Sequence, residues 1–282
     1  MREITLEELL EAGCHFGHQV TRSNPKARDF IYEARDNIHI IDLAKTKEGL
    51  EEAAGFIKDV GSANGTLVVV GTKRQARTIV EEEVKRANDN NLFYITNRWV
   101  GGLLTNFSEV SKNFKKLQDL LTDLKDDEVR ARYTKKEIGG WEKESQKLEN
   151  LYGGVAKITK KPDALFIIDS HLENLAVREA LMTHVPTVGI VDTNADPAII
   201  DYPIPANDDA VGSIKLIVNY IIDAWIEGRK NLESKVQNSE LKEKETQKEE
   251  VKDTKKKKTE VAKELRVKEK KITKAKTKKG KS

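Results

Sequence analysis

A few short stretches of this 282-residue chain carry residue types that could do chemistry. In VVVGTKRQA (68–76), Gly71 and Thr72 precede Lys73 and Arg74 where an apolar run gives way to helical spacing. A helix N-terminus beside two cations could hold a phosphate. The second glycine and the spacing of a P-loop are missing, and Thr72 with Gln75 equally reads as a capping box. In GCHFGHQ, Cys14, His15 and His18 are zinc-ligand types, but ligands so close in sequence make a poor tetrahedral set. His18 with Asp192 or Asp208, each at a strand or helix end, is the other way to hold an ion. DTNADP (192–197) could be a ligand loop, although Asp, Asn and Asp-Pro are also ordinary turn residues. Ser170-His171 follows an apolar run without the GxSxG frame of a nucleophile elbow, and Asp169 reads as a strand-end polar residue. No catalytic set emerges, and no enzyme is expected.

Cations form a wider pattern. GHQVTRSNPKARDFIY (17–32) carries Arg22, Lys26 and Arg28 among Ser, Asn and Pro. Such a loop suits an RNA backbone, and a solvated loop is the plain alternative. With Lys73, Arg74, Arg98, Lys112, Lys115 and Lys116, these residues favour an extended polyanion over a small molecule. Charge is divided unevenly along the chain. Residues 229–282 hold 21 Lys/Arg against 10 Asp/Glu, leaving 29 basic and 37 acidic residues in 1–228. An acidic body can bind nucleic acid only through local patches. The basic tail, with KKKK at 255–258 and no apolar face, is expected to be disordered or a solvated helix.

Elements that would position these residues follow from hydrophobic spacing. Thr5 to Glu8 is a capping box that opens a short helix. Strands are predicted at 38–42, 66–70, 92–95, 164–169 and 186–192, with a short piece near 202–204. Between them come helices with one apolar face, marked by residues such as Leu50, Ala53 and Ile57, then Ala76, Ile79 and Val80, and a further helix through Leu175, Leu181 and Met182. Asn207 and Asp208 can cap a last helix. Apolar strands alternating with helices mean an α/β fold, a Rossmann-like parallel sheet with helices on both faces. Ligands of such sheets sit at the carboxyl ends of the strands.

Between the predicted third and fourth strands the period changes. Phe107, Val110, Phe114, Leu117, Leu121 and Leu124 make a heptad seam, and Ile138, Trp141, Ser145, Leu148 and Tyr152 repeat it. Two such helices make an inserted antiparallel coiled-coil arm. Gly139 and Gly140 predict a break or a late start in the second. The expected domains are an α/β body of 1–104 and 156–228, an arm of 105–155 and a tail of 229–282. The lone cysteine fits a reducing compartment, and no stretch is apolar enough for a membrane or a signal peptide, so a cytoplasmic protein is expected.

EAGCHFGHQ, NPKARDFIY, NIHIIDLAKT, VVVGTKRQA, NRWVGGLLTNF, PDALFIID, VPTVGIVDTNADP and IPANDDA stand here in that order. The set resembles the bacterial S-two family of small-subunit ribosomal proteins, over about residues 3–230. The resemblance implies a flavodoxin-like body with a coiled-coil arm, on the solvent side of the small subunit near the head–body junction. It implies contacts with small-subunit rRNA and neighbouring ribosomal proteins, support for docking of the S-one mRNA-binding protein, no cofactor and no catalysis. It also implies that RWVGG joins the third strand to the arm. Trp99 would then bury at the arm's root, Gly101 and Gly102 would let the chain turn, and Arg98 could reach rRNA or cap a loop. The rival reading is a doubly wound enzyme or regulator that binds a phosphorylated small molecule near Gly71 and Asp192.

Overall fold

A computed structural model describes residues 2–234. Its centre follows from Leu67–Val70, an apolar run with no polar alternation. Such a strand has no side to show to water and must lie between two apolar layers. It forms β4, and all of its side chains are buried. Beside it run β5 (Leu92–Ile95) and β6 (Ala164–Ile167), with β7 (Thr187–Val191) and β8 (Tyr202–Pro205) beyond β6, every adjacent pair parallel. The order β5-β4-β6-β7-β8 is the flavodoxin-like one, in which winding reverses between β4 and β6.

The pleat of β4 divides the core. Leu67 and Val69 join Leu50 and Ile57 of α2 (Leu43–Ser62), Val80 of α3 (Arg74–Ala87), and Ile217 and Trp225 of α8 (211–234). Val68 and Val70 join the opposite layer, with Trp99, Leu104, and Ala176 and Ala180 of α7 (Asn174–Thr183). Each fully buried Leu, Ile or Val contributes about 1.5–3 kcal/mol. The N-terminal α1 (Leu6–Glu11) has both halves of its capping box, between Thr5 and Glu8.

Several expectations need correction. The run IHIID is not part of the parallel sheet. It forms β3 (Ile38–Ile41), between β1 (Phe16–Gln19) and β2 (Ile31–Arg35) in a separate antiparallel sheet. Asp42 lies beyond the strand, and its Oδ1 accepts from the N–H of Ala44 to cap α2. Asp36 and Asn37 turn β2 into β3 at φ 50° and 63°, the pair of left-handed residues that a tight hairpin needs. The helix expected through Leu175, Leu181 and Met182 forms as α7, but these residues do not make its buried face. Leu175, Leu181 and Met182 are exposed, and the buried residues are Ala176, Val177, Glu179 and Ala180.

The helical insertion comprises α4 (Phe107–Asp123), a single turn α5 (Asp127–Arg130) and α6 (Lys135–Tyr152). The two long helices pack together through the Phe114 and Tyr152 rings, with centroids 5.3 Å apart, and through a Lys116–Glu144 ion pair. Val110, Phe114 and Leu117 also belong to the layer under β4, so the start of α4 is anchored in the sheet's own core. No break occurs at Gly139 and Gly140. Thr134 and Glu137 start α6 with a complete capping box ahead of both glycines, and the seam residues that follow hold the helix despite weak local propensity.

The last helix runs through the expected boundary at Gly228. A Cβ there would lie 2.3 Å from the Lys58 carbonyl oxygen, so α8 and α2 meet closely at this point. One residue on, Arg229 pairs with Asp89. Residues 235–282, which hold most of the expected tail, lie outside the described residues. No described helix is long and apolar enough to cross a membrane.

Candidate functional site

Residues singled out at the strand ends do come together. Lys73 follows β4, Asp169 follows β6, Asp192 follows β7, and Asp208 and Asp209 follow β8. The Lys73 Nζ lies 2.8 Å from carboxylate oxygens of Asp169, Asp208 and Asp209, and donates at 3.2 Å to the Asp208 carbonyl. Thr72 does not cap α3. Its hydroxyl donates to Glu173 instead, and Lys73 occupies the N-cap position without a side-chain cap bond. The crevice between β4 and β6 is therefore lined by carboxylates, and its single lysine is already matched by them.

His18 extends the network. Its Nδ1 lies 3.0 Å from Asp192 and its Nε2 lies 3.5 Å from Asp209. The bond to Asp192 raises the imidazole's pKa against the effect of burial. Burial, with Asp169 and Asp192 nearby, pushes Asp208 up to about 7. Burial opposes the charge on Lys73, yet Asp208, Asp169 and Asp209 together hold its pKa above the ordinary lysine value. Asp208 is buried, and its Oδ2 has no hydrogen-bond partner. Ligand atoms of His18, Asp208 and Asp209 lie within 4.8 Å of one another, a mixed nitrogen and oxygen set that fits a divalent ion. Cys14 is not part of it. The thiol is fully buried in the core, and burial raises its pKa. Ser170 donates to the Ile190 carbonyl at 3.2 Å, which leaves the hydroxyl engaged in the fold.

A second constellation organises the turn after β5. Glu179, buried on α7, accepts from Trp99 Nε1 at 3.2 Å and from the N–H groups of Gly102, Leu104 and Thr105 at 2.8, 3.1 and 3.2 Å. Burial would raise its pKa, but these donors outweigh that and lower it. Trp99 is 4% exposed. Gly102 has φ +92° and so needs glycine. Gly101 lacks a positive φ, and a Cβ there would make only ordinary contact with Leu175 at 3.5 Å. The conformational demand thus falls on one glycine of the pair. Glu179 was not singled out from the sequence. Its signal was a lone carboxylate on a helix face shared with Ala176 and Ala180.

The nine candidate cations separate into two groups. Lys73 is enclosed as described, Lys26 pairs with Asp196 at 2.6 Å, Lys112 with Glu109 at 2.8 Å, and Lys116 with Glu144. Arg22, Arg28, Arg74, Arg98 and Lys115 are exposed. Among the described residues, none of these five has a carboxylate within ion-pair distance. They lie on the 17–32 segment, the start of α3, the turn after β5, and α4.

Comparison with known proteins places these features in a family. The chain matches ribosomal protein S2 over residues 9–228. It is 46% identical over 237 residues to the small ribosomal subunit protein uS2 of Geotalea uraniireducens (strain Rf4), covering 84% of this chain and 91% of the relative. It is 47% identical over 236 residues to the small ribosomal subunit protein uS2 of Roseiflexus sp. (strain RS-1), covering 83% and 87%. The family is ribosomal and not enzymatic. From its parallel sheet, its matched segment and these relatives, the chain belongs to the ribosomal protein S2 family.

Proposed function

We propose that the chain is a structural constituent of the small ribosomal subunit. In this reading it binds small-subunit rRNA through Arg22, Arg28, Arg74, Arg98 and Lys115, and contacts neighbouring ribosomal proteins. Residues 105–155 act as an inserted coiled-coil arm rooted at Trp99 and Gly102, and the protein supports docking of the S-one mRNA-binding protein. The observation that carries the reading is the contrast between unpaired exposed cations and an acidic strand-end crevice. A phosphorylated small molecule entering that crevice would meet Asp169, Glu173 and Asp208 around a lysine already neutralised. The free cations lie on several separate elements, which suits an extended phosphate backbone. Both relatives described above carry small-subunit names.

Sucrose-gradient sedimentation tests the proposal. The full chain and a version ending at Ser234 are expected to travel with the small subunit at low salt. If neither does, and a nucleotide or sugar phosphate raises the melting temperature instead, the rival reading takes its place.

A further inference from the structure

A cavity of about 530 Å³ lies beside the loops that follow β6 and β7, where the 17–32 segment meets them. The N–H of Asn24 donates to the Thr193 carbonyl at 2.7 Å, which ties that segment to the loop after β7. The volume falls within the range of pockets that enclose a small ligand.

The wall chemistry is specific. Asn174 and Asn194 contribute carboxamides, which offer donors and acceptors side by side, and Asn24, whose Oδ1 already accepts from the Lys26 N–H, contributes its amide donors. The Oδ1 of Asn194 is buried and has no hydrogen-bond partner. His171 and Arg178 add two flat groups of the kind on which an unstacked base rests. Asp196, also on the wall, is matched by Lys26 at 2.6 Å. Among the described residues Arg178 has no carboxylate within ion-pair distance, so the wall carries an uncompensated positive charge. The cavity also adjoins the segment that bears Arg22 and Arg28.

We infer that this cavity receives one unstacked nucleotide of a single-stranded rRNA segment, with its base against the three carboxamides and its phosphate beside Arg178. The inference deepens the proposed rRNA binding and rests on it. A protein side chain is the competing occupant. Leu181 and Ile199 give the wall an apolar part on which a base can pack, while the other exposed apolar side chains nearby, Leu172, Leu175 and Met182, lie outside the cavity walls, so a peptide would find only a small apolar surface inside.

The test is chemical probing of rRNA in small subunits assembled without this protein, with the full wild-type chain, or with full chains carrying Arg178→Ala or Asn174→Ala. Dimethyl sulfate reports adenine and cytosine edges, and a carbodiimide reports uracil and guanine edges. Reactivity is compared in particles of matched protein occupancy, and melting curves confirm that each variant is folded. The expected result is one unpaired base that the wild type protects and whose reactivity rises about fivefold or more in each variant, the size of losing one base contact. If the wild type enters the subunit and protects no unpaired base, the inference is wrong and the ribosomal reading stands. The same holds if both variants retain the protection. If a benzophenone amino acid in place of Leu181 crosslinks to a protein and not to RNA, the occupant is a protein and the inference is overturned. If the wild type fails to enter the subunit, both readings fall.

Discussion

Single side chains carry much of the organisation around the turn after β5. Glu179 satisfies Trp99, Gly102, Leu104 and Thr105 at once, and removing it would leave several buried donors unpaired. Glu179→Ala is expected to lower stability by about 3 kcal/mol in urea denaturation, since each buried unsatisfied group costs about 1–3 kcal/mol. At Gly102, where φ is +92°, alanine is expected to cost about 1–2 kcal/mol, whereas Gly101→Ala should be near neutral. Equal effects at the two positions would show that the turn relaxes. The strand-end network has a pH signature. Burial raises Asp208 to about 7, above the unfolded value of about 3.9. A raised carboxylic acid contributes stability that is full below the unfolded pKa and is lost as pH rises through the folded one. His18, raised by Asp192, acts in the same direction. The gap in melting temperature between wild type and Asp208→Asn should therefore be larger at pH 5 than at pH 7.5. The approach of Lys73 to Asp208 was hidden in the sequence because the partners are far apart in the chain. Only the rule that strand ends gather in an α/β sheet hinted at it.

Among the elements, the parallel strands were the most legible, because continuous apolar runs such as Leu67–Val70 have few alternatives. The small antiparallel sheet was not. β1 and β2 bury no residue, are rich in polar residues and are interrupted by register shifts, so they look like loop. The Asp36-Asn37 hairpin turn was the one cue available. On α7 the inward residues are small, and the large apolar ones face outward, so hydrophobicity alone selects the wrong side. On α6 the glycines alone predict a break or a late start, while the capping box and the contacts with α4 outweigh them. That has a testable consequence. A Cβ at Gly139 or Gly140 meets nothing within 4 Å. Gly139→Ala and Gly140→Ala should each stabilise the protein by about 0.4–1 kcal/mol, through helix propensity and a less flexible unfolded chain. Thermal melts of the two single variants and the double variant would measure this, and a fall in melting temperature would mean that the helix is strained there.

Under the proposed function, residues 2–234 and residues 235–282 differ in the charge they offer a polyanion. The body contributes shape and a few unpaired cations. Residues 235–282 contribute 19 Lys/Arg against 9 Asp/Glu. The boundary matters to any test of this division. A chain ending at Gly228 also loses Arg229, which pairs with Asp89 and donates to Asn64, so its behaviour mixes a folding defect with a loss of charge. A chain ending at Ser234 keeps those contacts, and the version ending at Gly228 should be less stable than it by about 1 kcal/mol. Binding to small subunits can then be measured against salt. Each phosphate neutralised contributes roughly 0.7–0.9 to the slope of log affinity against log salt. Removing residues 235–282 should flatten that slope and weaken binding mainly at low salt. If the cations proposed to bind rRNA set the selectivity, preference for the small subunit should persist. If the shortened chain instead loses that preference while its melting curve is unchanged, selectivity lies in the basic segment, and the exposed arginines of the body would need another role.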